Sequence, residues 1–499
     1  MGGRSPLVPF LALVAVVPIA LAAQPPAFDT QLQQADGLIR DGRFTDAARV
    51  YRTLLAGGAD ADAVRERARA GLTLSLLRTG DFAGARVEGA RLAGIPDASP
   101  ASIALYGDTL WSSGLFDEAE RVYESSLARD PAEARARHGR ARSLTAHGRL
   151  DAALVEAQAA VAASPSEAEF RHLLGVIYER QHRFVDAAAA FAGYVALLPG
   201  RDHTPTALWT RAEIRFLHAF DRVTPLELAA DSAARQTWRV PLRIEKGKVF
   251  VRGKVNGGTV DFVLDTGAEQ TVLSVDAAAR YGVNPVAYTE SAGVGDAGRR
   301  GLQVGRINRL QVGDLDVHNV PCLIKNPPLG GLPTREPESF SPLALGLSMT
   351  VDYARRELLI ARALPPTPHA TELPLRVYRL AMVRGLVNGT PVSFVVDTGG
   401  REISISRATA RLLDTPSPRR IPLRVYGTSG WDKDAFLLPD VDLAFEALHL
   451  SRTPVVVLNL NAPSELLGFQ VGGIVGHSFL SKYRVTFDLT RSVLGLDPL

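Results

Sequence analysis

The chain has 499 residues, of which 46% are hydrophobic and 22% charged, so it contains enough apolar material for two or three separate cores. The formal net charge is only +3, and no basic run interleaved with aromatic residues points to nucleic-acid binding. The single cysteine, Cys322, excludes an intramolecular disulfide and lies in an apolar run typical of a buried thiol. No His, Cys and Asp residues have the spacing of zinc ligands, so we expect no metal.

Residues 1–23 have the pattern of a secretory signal peptide. Arg4 precedes an apolar stretch at 7–23, which ends in small residues before Gln24 and two prolines. This stretch is short for a membrane-spanning helix, although an uncleaved anchor is the alternative. We expect cleavage after Ala22 or Ala23, no membrane span after cleavage, and an exported, periplasmic protein. The absence of a cysteine near this point argues against a lipoprotein.

Residues 28–200 contain a repeat with a period of 34. A Gly-Arg-Phe-x-Asp-Ala-Ala pattern starts at Gly42 and recurs in related forms, with spacings of 80 − 42 = 38 and then 34. The later turn positions are Gly80, Gly114, Gly148 and His182. Such a unit of two helices resembles the tetratricopeptide repeat, and about five units are expected. The resemblance implies a solenoid whose concave surface docks a partner protein or a peptide; a spacer or rigid lid is the alternative.

Residues 201–240 join this array to the second half of the chain. We predict a capping helix at 207–220, which is broken at Val223-Thr224-Pro225. Strands are predicted at 240–244 and 249–251, and Val, Gly and Pro become frequent from here on.

The second half contains a duplicated unit. Residues 262–267 read Phe-Val-Leu-Asp-Thr-Gly, and residues 394–399 read Phe-Val-Val-Asp-Thr-Gly. The two segments are 397 − 265 = 132 positions apart, and the same offset aligns two Val-Asn-Gly triplets and two serines. Each apolar run predicts a buried strand that ends at Asp265 or Asp397. Two carboxylates held close together cannot both ionise, so the pair acts as an acid and a base around one water. Thr266 can hydrogen-bond to backbone across the two copies, and Gly267 permits a close turn.

These residues resemble the aspartic protease superfamily, and the short repeat suits its retroviral-like branch with two lobes in tandem. The resemblance implies all-β lobes at 241–364 and 372–499, with a proline-rich hinge between them. It implies Asp265 and Asp397 as the catalytic pair, without metal, cofactor or nucleophilic side chain. The loop residues that would support the pair are Thr266, Gly267, Thr398 and Gly399. The candidates for the substrate-covering flaps are Gly293, Gly295, Gly427 and Gly430, and a plain surface hairpin is the alternative for each.

Some family landmarks differ between the lobes. The hydrophobic-hydrophobic-Gly segment that braces the catalytic loop is found at 474–476, and His477 beside it is interpreted as structural. Its expected counterpart at 344–346 is followed too closely by the next strand, so lobe 1 is predicted to lack the short helix found there. Ala268 matches the family, whereas Gly400 replaces the usual Ala, Ser or Thr. Neither can offer a hydroxyl to the carboxylates, which predicts a less acidic optimum than that of pepsin.

Three functions are compatible with this sequence. The first is an active endopeptidase that cleaves extended peptides or proteins, favoured because both Asp-Thr-Gly triplets are intact. The second is a peptide-binding pseudo-enzyme, and the third is an assembly adaptor based on the repeats. The predicted fold is multi-domain: an all-α repeat solenoid followed by an all-β two-lobed acid-protease-like domain.

Overall fold

The computed structural model describes residues 28–57, 62–200, 202–325, 338–413 and 420–499. The predicted signal peptide at 1–23 lies outside these residues. Within them, a helical first half is followed by a strand-rich second half, as the sequence predicts. None of the helices in the described ranges combines the length and the apolar character needed to cross a bilayer.

The first half is a solenoid of antiparallel helix pairs, which we call the array. Its helices are α1 Phe28–Arg40, α2 Phe44–Ala56, α3 Asp62–Thr79, α4 Phe82–Ala93, α5 Pro100–Ser112, α6 Phe116–Arg129, α7 Ala134–Ala146, α8 Leu150–Ala163, α9 Ala168–Arg180, α10 Phe184–Leu197 and α11 Pro205–Leu217. The repeated turn residues lie between the two helices of each pair and have positive φ, from 68° at Gly148 to 78° at Gly80, with 60° at His182. A left-handed turn residue explains the recurrent glycine. The predicted capping helix is α11, extended by a 3-10 turn, His218–Phe220.

A short connection follows the array. It contains β1 Glu227–Leu228 and α12 Ala230–Ala233, and β1 pairs with a strand of lobe 1. The connection is therefore held against the second half by backbone hydrogen bonds.

The elements of lobe 1 recur in the same order in lobe 2, which contains additional short strands and the helix α15 Asn461–Leu467. Lobe 1 contains β3 Lys248–Val255, β4 Gly258–Leu264, β5 Thr271–Ser274, α13 Val275–Arg280, β6 Pro285–Ala292, β7 Arg299–Val312, β8 Leu315–Lys325 and β9 Ser339–Phe340. Lobe 2 contains β13 Leu380–Val387, β14 Thr390–Val396, β15 Ser404–Ser406, α14 Arg407–Leu412, β16 Ile421–Pro422, β17 Val425–Gly427, β18 Gly430–Asp432, β19 Phe436–Phe445, β20 Leu448–Leu458, α15 Asn461–Leu467, β21 Gly473–Val475 and α16 His477–Leu480.

The residues that superpose at the offset of 132 have matching local roles. Asn256 and Asn388 each begin a tight hairpin turn with positive φ, 50° and 47°, which is the conformation that Asn-Gly favours. Ser274 and Ser406 each cap the N-terminus of the short helix that follows, with the hydroxyl accepting a backbone N–H. The residues that align between the two lobes therefore form equivalent hairpin turns and equivalent helix N-caps.

A six-stranded antiparallel sheet joins the two lobes. Its strands follow the spatial order β2, β11, β10, β22, β23 and β12, with bounds Thr237–Glu245, Glu357–Ala361, Ser348–Asp352, Tyr483–Asp488, Val493–Pro498 and Thr371–Tyr378. The central pairing crosses from one lobe to the other, with Met349 opposite Phe487. Both residues are fully buried, so the lobes share a core beneath this sheet.

The array packs directly onto the strand-rich half. Trp111 and Phe116 belong to one apolar cluster with Met382, Val395 and Phe469 of lobe 2, and the Phe116 and Phe469 rings meet edge to face at 5.4 Å. Backbone bonds support this contact, because the Gln470 N–H donates to the Ser112 carbonyl at 2.7 Å. The array is therefore joined to lobe 2 by a shared core as well as by residues 201–240, and part of its surface is occupied by its own chain.

Candidate active site

Two equivalent strands deliver the two aspartates to one place. Asp265 follows the last residue of β4, and Asp397 follows the last residue of β14. Each strand has a short parallel neighbour, and each aspartate N–H donates to that neighbour: Asp265 to the Phe340 carbonyl and Asp397 to the Val475 carbonyl, both at 3.0 Å. The same backbone bond fixes both aspartates at the ends of buried strands.

The threonines after the aspartates tie the two loops together. The Thr266 hydroxyl donates to the Val396 carbonyl at 2.5 Å and accepts the Thr398 N–H at 3.0 Å. The Thr398 hydroxyl does the reverse, donating to the Leu264 carbonyl at 2.8 Å and accepting the Thr266 N–H at 3.1 Å. All four bonds are buried and cross between the lobes. The cross-lobe bond expected for Thr266 is thus present and has a symmetric partner.

The glycines let the loops approach each other. A Cβ on Gly267 would lie 2.6 Å from Cγ of Asp397, and a Cβ on Gly399 would lie 2.7 Å from Cγ of Asp265. Real Cβ atoms do not come so close, so both positions require glycine. Each loop therefore packs against the carboxyl group of the other lobe.

The two carboxyl groups lie close together, and the backbone donors around them differ. Burial, together with the charge of Asp265, raises the pKa of Asp397 to about 7. The N–H groups of Gly399 and Gly400 both donate to Asp397 Oδ1 at 2.8 Å, whereas Asp265 Oδ1 accepts the Gly267 N–H at 3.0 Å. The two N–H bonds lower the pKa of Asp397 but do not cancel the rise, so below about pH 7 this carboxyl holds a proton beside Asp265, which is the arrangement of an acid beside a base.

Gly400 has a role that the sequence did not reveal. From the sequence, this residue is interpreted only as one that cannot provide a hydroxyl. Its own N–H supplies a hydrogen bond to Asp397, and a Cβ there would lie 2.7 Å from Asp397 Oδ2. The Gly400 carbonyl in turn accepts the N–H of His477, which anchors the loop to α16.

The prediction that lobe 1 lacks a short helix is wrong. The strand that braces the Asp265 loop is β9, whose Phe340 pairs with Leu264 as Val475 pairs with Val396 in lobe 2. A 3-10 turn, Pro342–Leu345, follows β9 as α16 follows β21. The 344–346 segment is the end of this turn, where Gly346 has φ 71°. Ser341 replaces the bracing glycine, so the true brace of lobe 1 does not match the hydrophobic-hydrophobic-Gly pattern.

The flap candidates lie in two hairpins that contact each other. Gly293 and Gly295 lie in the turn between β6 and β7, while Gly427 and Gly430 bound the turn between β17 and β18. The Ser429 N–H donates to the Val294 carbonyl at 2.9 Å, and the Gly293 N–H donates to the Ser429 hydroxyl at 3.0 Å. The two hairpin tips are therefore joined in this conformation, so a substrate would have to separate them or enter from the side.

A cavity of about 520 Å³ opens beside Asp265. Its walls include the Asp265 loop, the β6–β7 hairpin, Thr428 of the second hairpin and the turn at 377–379. The array forms the remaining wall, with His172, Val176, Glu179, Arg180, Trp209 and Glu213. Sequence reasoning missed these array residues. The 34-residue period offered a signal, because 213 − 179 = 34 places two glutamates at the same position of successive first helices, α9 and α11.

Other singled-out residues have no contact with the aspartates. Cys322 is fully buried, and burial raises the pKa of its thiol to about 12. The His477 ring packs edge to face on Tyr353 at 5.3 Å, and burial lowers its pKa. Across the described parts of the chain, no cluster of three or more His, Cys, Asp or Glu residues could hold a metal ion.

Comparison with known proteins identifies both halves. The aspartyl protease family model matches residues 251–348 and 383–479, one segment in each lobe. Two tetratricopeptide-repeat models match residues 32–102 and 110–177. The predicted combination of the two families is confirmed.

Similar solved structures include a thermophilic tetratricopeptide-repeat protein of Thermus thermophilus, which is 18% identical, with 39% of this chain and 100% of that chain covered and a TM-score of 0.32. MamA from Desulfovibrio magneticus RS-1 is 19% identical, with 34% of this chain and 94% of that chain covered and a TM-score of 0.25. No curated protein sequence matches the chain.

Proposed function

We propose that this chain, which carries tetratricopeptide repeats and an aspartyl protease domain, is an exported aspartic endopeptidase. The observation that carries the proposal is the geometry of the carboxyl pair: four buried threonine bonds tie the two loops together so that each packs against the other lobe's carboxyl group, and the pKa of Asp397 is raised to about 7. A half-buried pair of carboxyl groups that shares one proton can take a proton from water and give one to a leaving group. Export rests on the sequence pattern of residues 1–23 alone.

The reaction follows from the raised pKa of Asp397, which keeps a proton beside Asp265. Asp265 accepts a proton from a water held between the carboxyl groups, while that water attacks the peptide carbonyl. Asp397, protonated, donates a hydrogen bond to the carbonyl oxygen as it gains negative charge. Proton transfer to the amide nitrogen then allows the C–N bond to break. The Thr266 and Thr398 bonds hold the pair at a fixed separation throughout.

The substrate is proposed to be an extended peptide. The cavity lies between hairpins whose backbone can pair with an added strand, and its walls carry apolar side chains such as Leu302 and Leu467. We expect cleavage of peptides longer than six residues in preference to single-residue amides or esters.

Cleavage of a mixed peptide library, with and without a statine-type inhibitor, tests the proposal. We expect cleavage that the inhibitor abolishes. A library left intact at every pH from about 4 to 8 would contradict an enzymatic role and favour the peptide-binding alternative. Cleavage that the inhibitor does not affect would show a different mechanism.

A docking role is proposed for the first repeats only. Residues of α1 to α4 form an apolar cluster of their own, without residues of the two lobes. Arg52 and Arg67 on these helices have exposed side chains. The double substitution Arg52→Glu, Arg67→Glu should leave cleavage of short peptides unchanged and weaken cleavage of a protein client. If both cleavage rates stay at the wild-type level, this surface does not dock the client.

A further inference from the structure

The array side of the cavity carries an uncompensated group of carboxyls. Glu213, on α11, is 3% exposed, and its Oε1 has no hydrogen-bond partner among the described residues. Glu179, on α9, lines the same wall, and Glu269 approaches from the Asp265 loop. Leaving a buried carboxyl oxygen unpaired is costly, so its presence in a wall of the cavity suggests a partner that arrives with a ligand.

The nearby cations are committed to other acceptors. Arg379 pairs with Glu269 at 2.8 Å and donates to the Leu466 carbonyl, and its guanidinium stacks over Trp209 at 4.6 Å. Arg180 donates to two backbone carbonyls, one of them that of Val377 at 2.6 Å. Within the described residues, no ion pair reaches Glu179 or Glu213. Around Glu179 and Glu213, the guanidinium groups of Arg379 and Arg180 are thus bound to other partners and form no ion pair with the two array glutamates.

Burial holds both array glutamates toward their neutral form. Burial raises the pKa of Glu179 to about 7, and the charge of the neighbouring Glu269 adds to the effect. Burial and the proximity of Glu179 raise the pKa of Glu213 well above its ordinary value. A cation between the two carboxyls would reverse this effect, because each ionised oxygen would gain a partner in a site screened from water.

We propose that Glu213 and Glu179 form a subsite for one positively charged side chain, Lys or Arg, of the peptide substrate. This inference rests on the proposed endopeptidase function. The cavity that holds both glutamates also contains Asp265, so the basic residue would lie near the scissile bond. Trp209 and Val176 line the same wall and offer apolar surface to the aliphatic stem of such a side chain. The repeat array thereby contributes directly to substrate specificity.

The test uses the full-length protein and octapeptides with a constant apolar scissile pair. At each position in turn, Lys or Arg replaces norleucine, which has a similar stem without the charge. At one position we expect the basic residue to raise kcat/KM roughly tenfold to hundredfold, as for a charged group that gains a buried partner. Glu213→Gln and Glu179→Gln should each remove most of this preference, so that kcat/KM for the basic peptide becomes nearly equal to that for the norleucine peptide.

Controls separate this subsite from other sources of the same effect. Glu156→Gln is a matched substitution on α8, outside the cavity walls, and should keep the preference. A second series with acetylated and free N-termini distinguishes a side-chain subsite from a site for the peptide amino group. Dependence of cleavage on the free terminus, with no effect of Lys or Arg, would overturn the proposal.

Failure of the subsite can be distinguished from failure of the enzymatic function. Equal cleavage of norleucine and basic peptides by the wild type would refute the subsite while supporting the endopeptidase. If no peptide is cleaved, the affinities of the same peptides are measured by calorimetry. The subsite is supported if the Lys peptide binds more tightly than the norleucine peptide and Glu213→Gln abolishes this difference. Equal affinities of the two peptides for the wild type would overturn the proposal.

Discussion

Replacement of Thr266 by Val removes the central hydroxyl of the cross-lobe network while keeping the shape of the side chain. The change leaves the Val396 carbonyl and the Thr398 N–H without their partners at a buried position. Each orphaned group costs about 1–3 kcal/mol, so the free energy of unfolding should fall by about 2–6 kcal/mol. Because the network sets the spacing of the aspartates, kcat should also fall by at least about tenfold.

Thr266→Ser is the matched control, because it retains the hydroxyl and loses one methyl group. We expect it to recover most of both losses. Urea denaturation monitored by circular dichroism gives the stabilities, and cleavage of one octapeptide gives kcat. Equal stability and kcat in the Val and Ser variants would refute the reasoning that these hydrogen bonds hold the loops together.

Three other predictions test separate parts of the structure. The pKa of Asp397 in the folded protein lies above its ordinary value, so protonated Asp397 stabilises the fold at low pH, and this contribution is lost as the pH rises through about 7. Urea titrations from about pH 4 to 8 should therefore show that the free energy of unfolding falls as the pH rises. Asp397→Asn should make this fall smaller. Gly267→Ala should abolish cleavage without unfolding the chain, whereas Gly37→Ala, where a Cβ would have no neighbour closer than 3.8 Å, should leave cleavage unchanged. Phe469→Ala should lower the free energy of unfolding by about 3–5 kcal/mol, and the unfolding transitions followed by helical circular dichroism and by tryptophan fluorescence should shift together. Separate transitions for the two signals would argue against a shared core.

The sequence predicted the aspartate loops well because their chemistry is local. A strand, an Asp-Thr-Gly turn and an Asn-Gly hairpin each leave a short pattern, and the duplication at an offset of 132 repeats all of them. The array was predicted for the same reason, since each helix pair turns at a left-handed residue such as Gly114, with φ 76°.

The brace of lobe 1 was missed because its pattern is degenerate. Ser341 replaces the expected glycine, and a Gly-containing triplet a few residues later fits the motif by chance. Only the parallel pairing of Phe340 with Leu264 identifies the true brace. Such a pairing joins residues 76 positions apart (340 − 264), which no local pattern reports.

The packing of the array on lobe 2 was equally inaccessible from the sequence. Phe116 and Phe469 are 353 positions apart (469 − 116), and each alone is consistent with the core of its own half. The cavity depends on the same packing of the array on the second half of the chain, because this packing brings Glu213 near the Asp265 loop. The sequence therefore indicated the reacting groups but not the surface that would select the substrate.

The central claim is that Asp265 and Asp397 act as one catalytic unit. Its most direct test is a double-mutant cycle: kcat/KM for one octapeptide, measured with the wild type, Asp265→Asn, Asp397→Asn and the double variant, with folding checked by circular dichroism. We expect each single variant to lose nearly all activity and the double variant to lose little more, so that the losses do not add. A double variant that cleaves at near the wild-type rate would contradict the account.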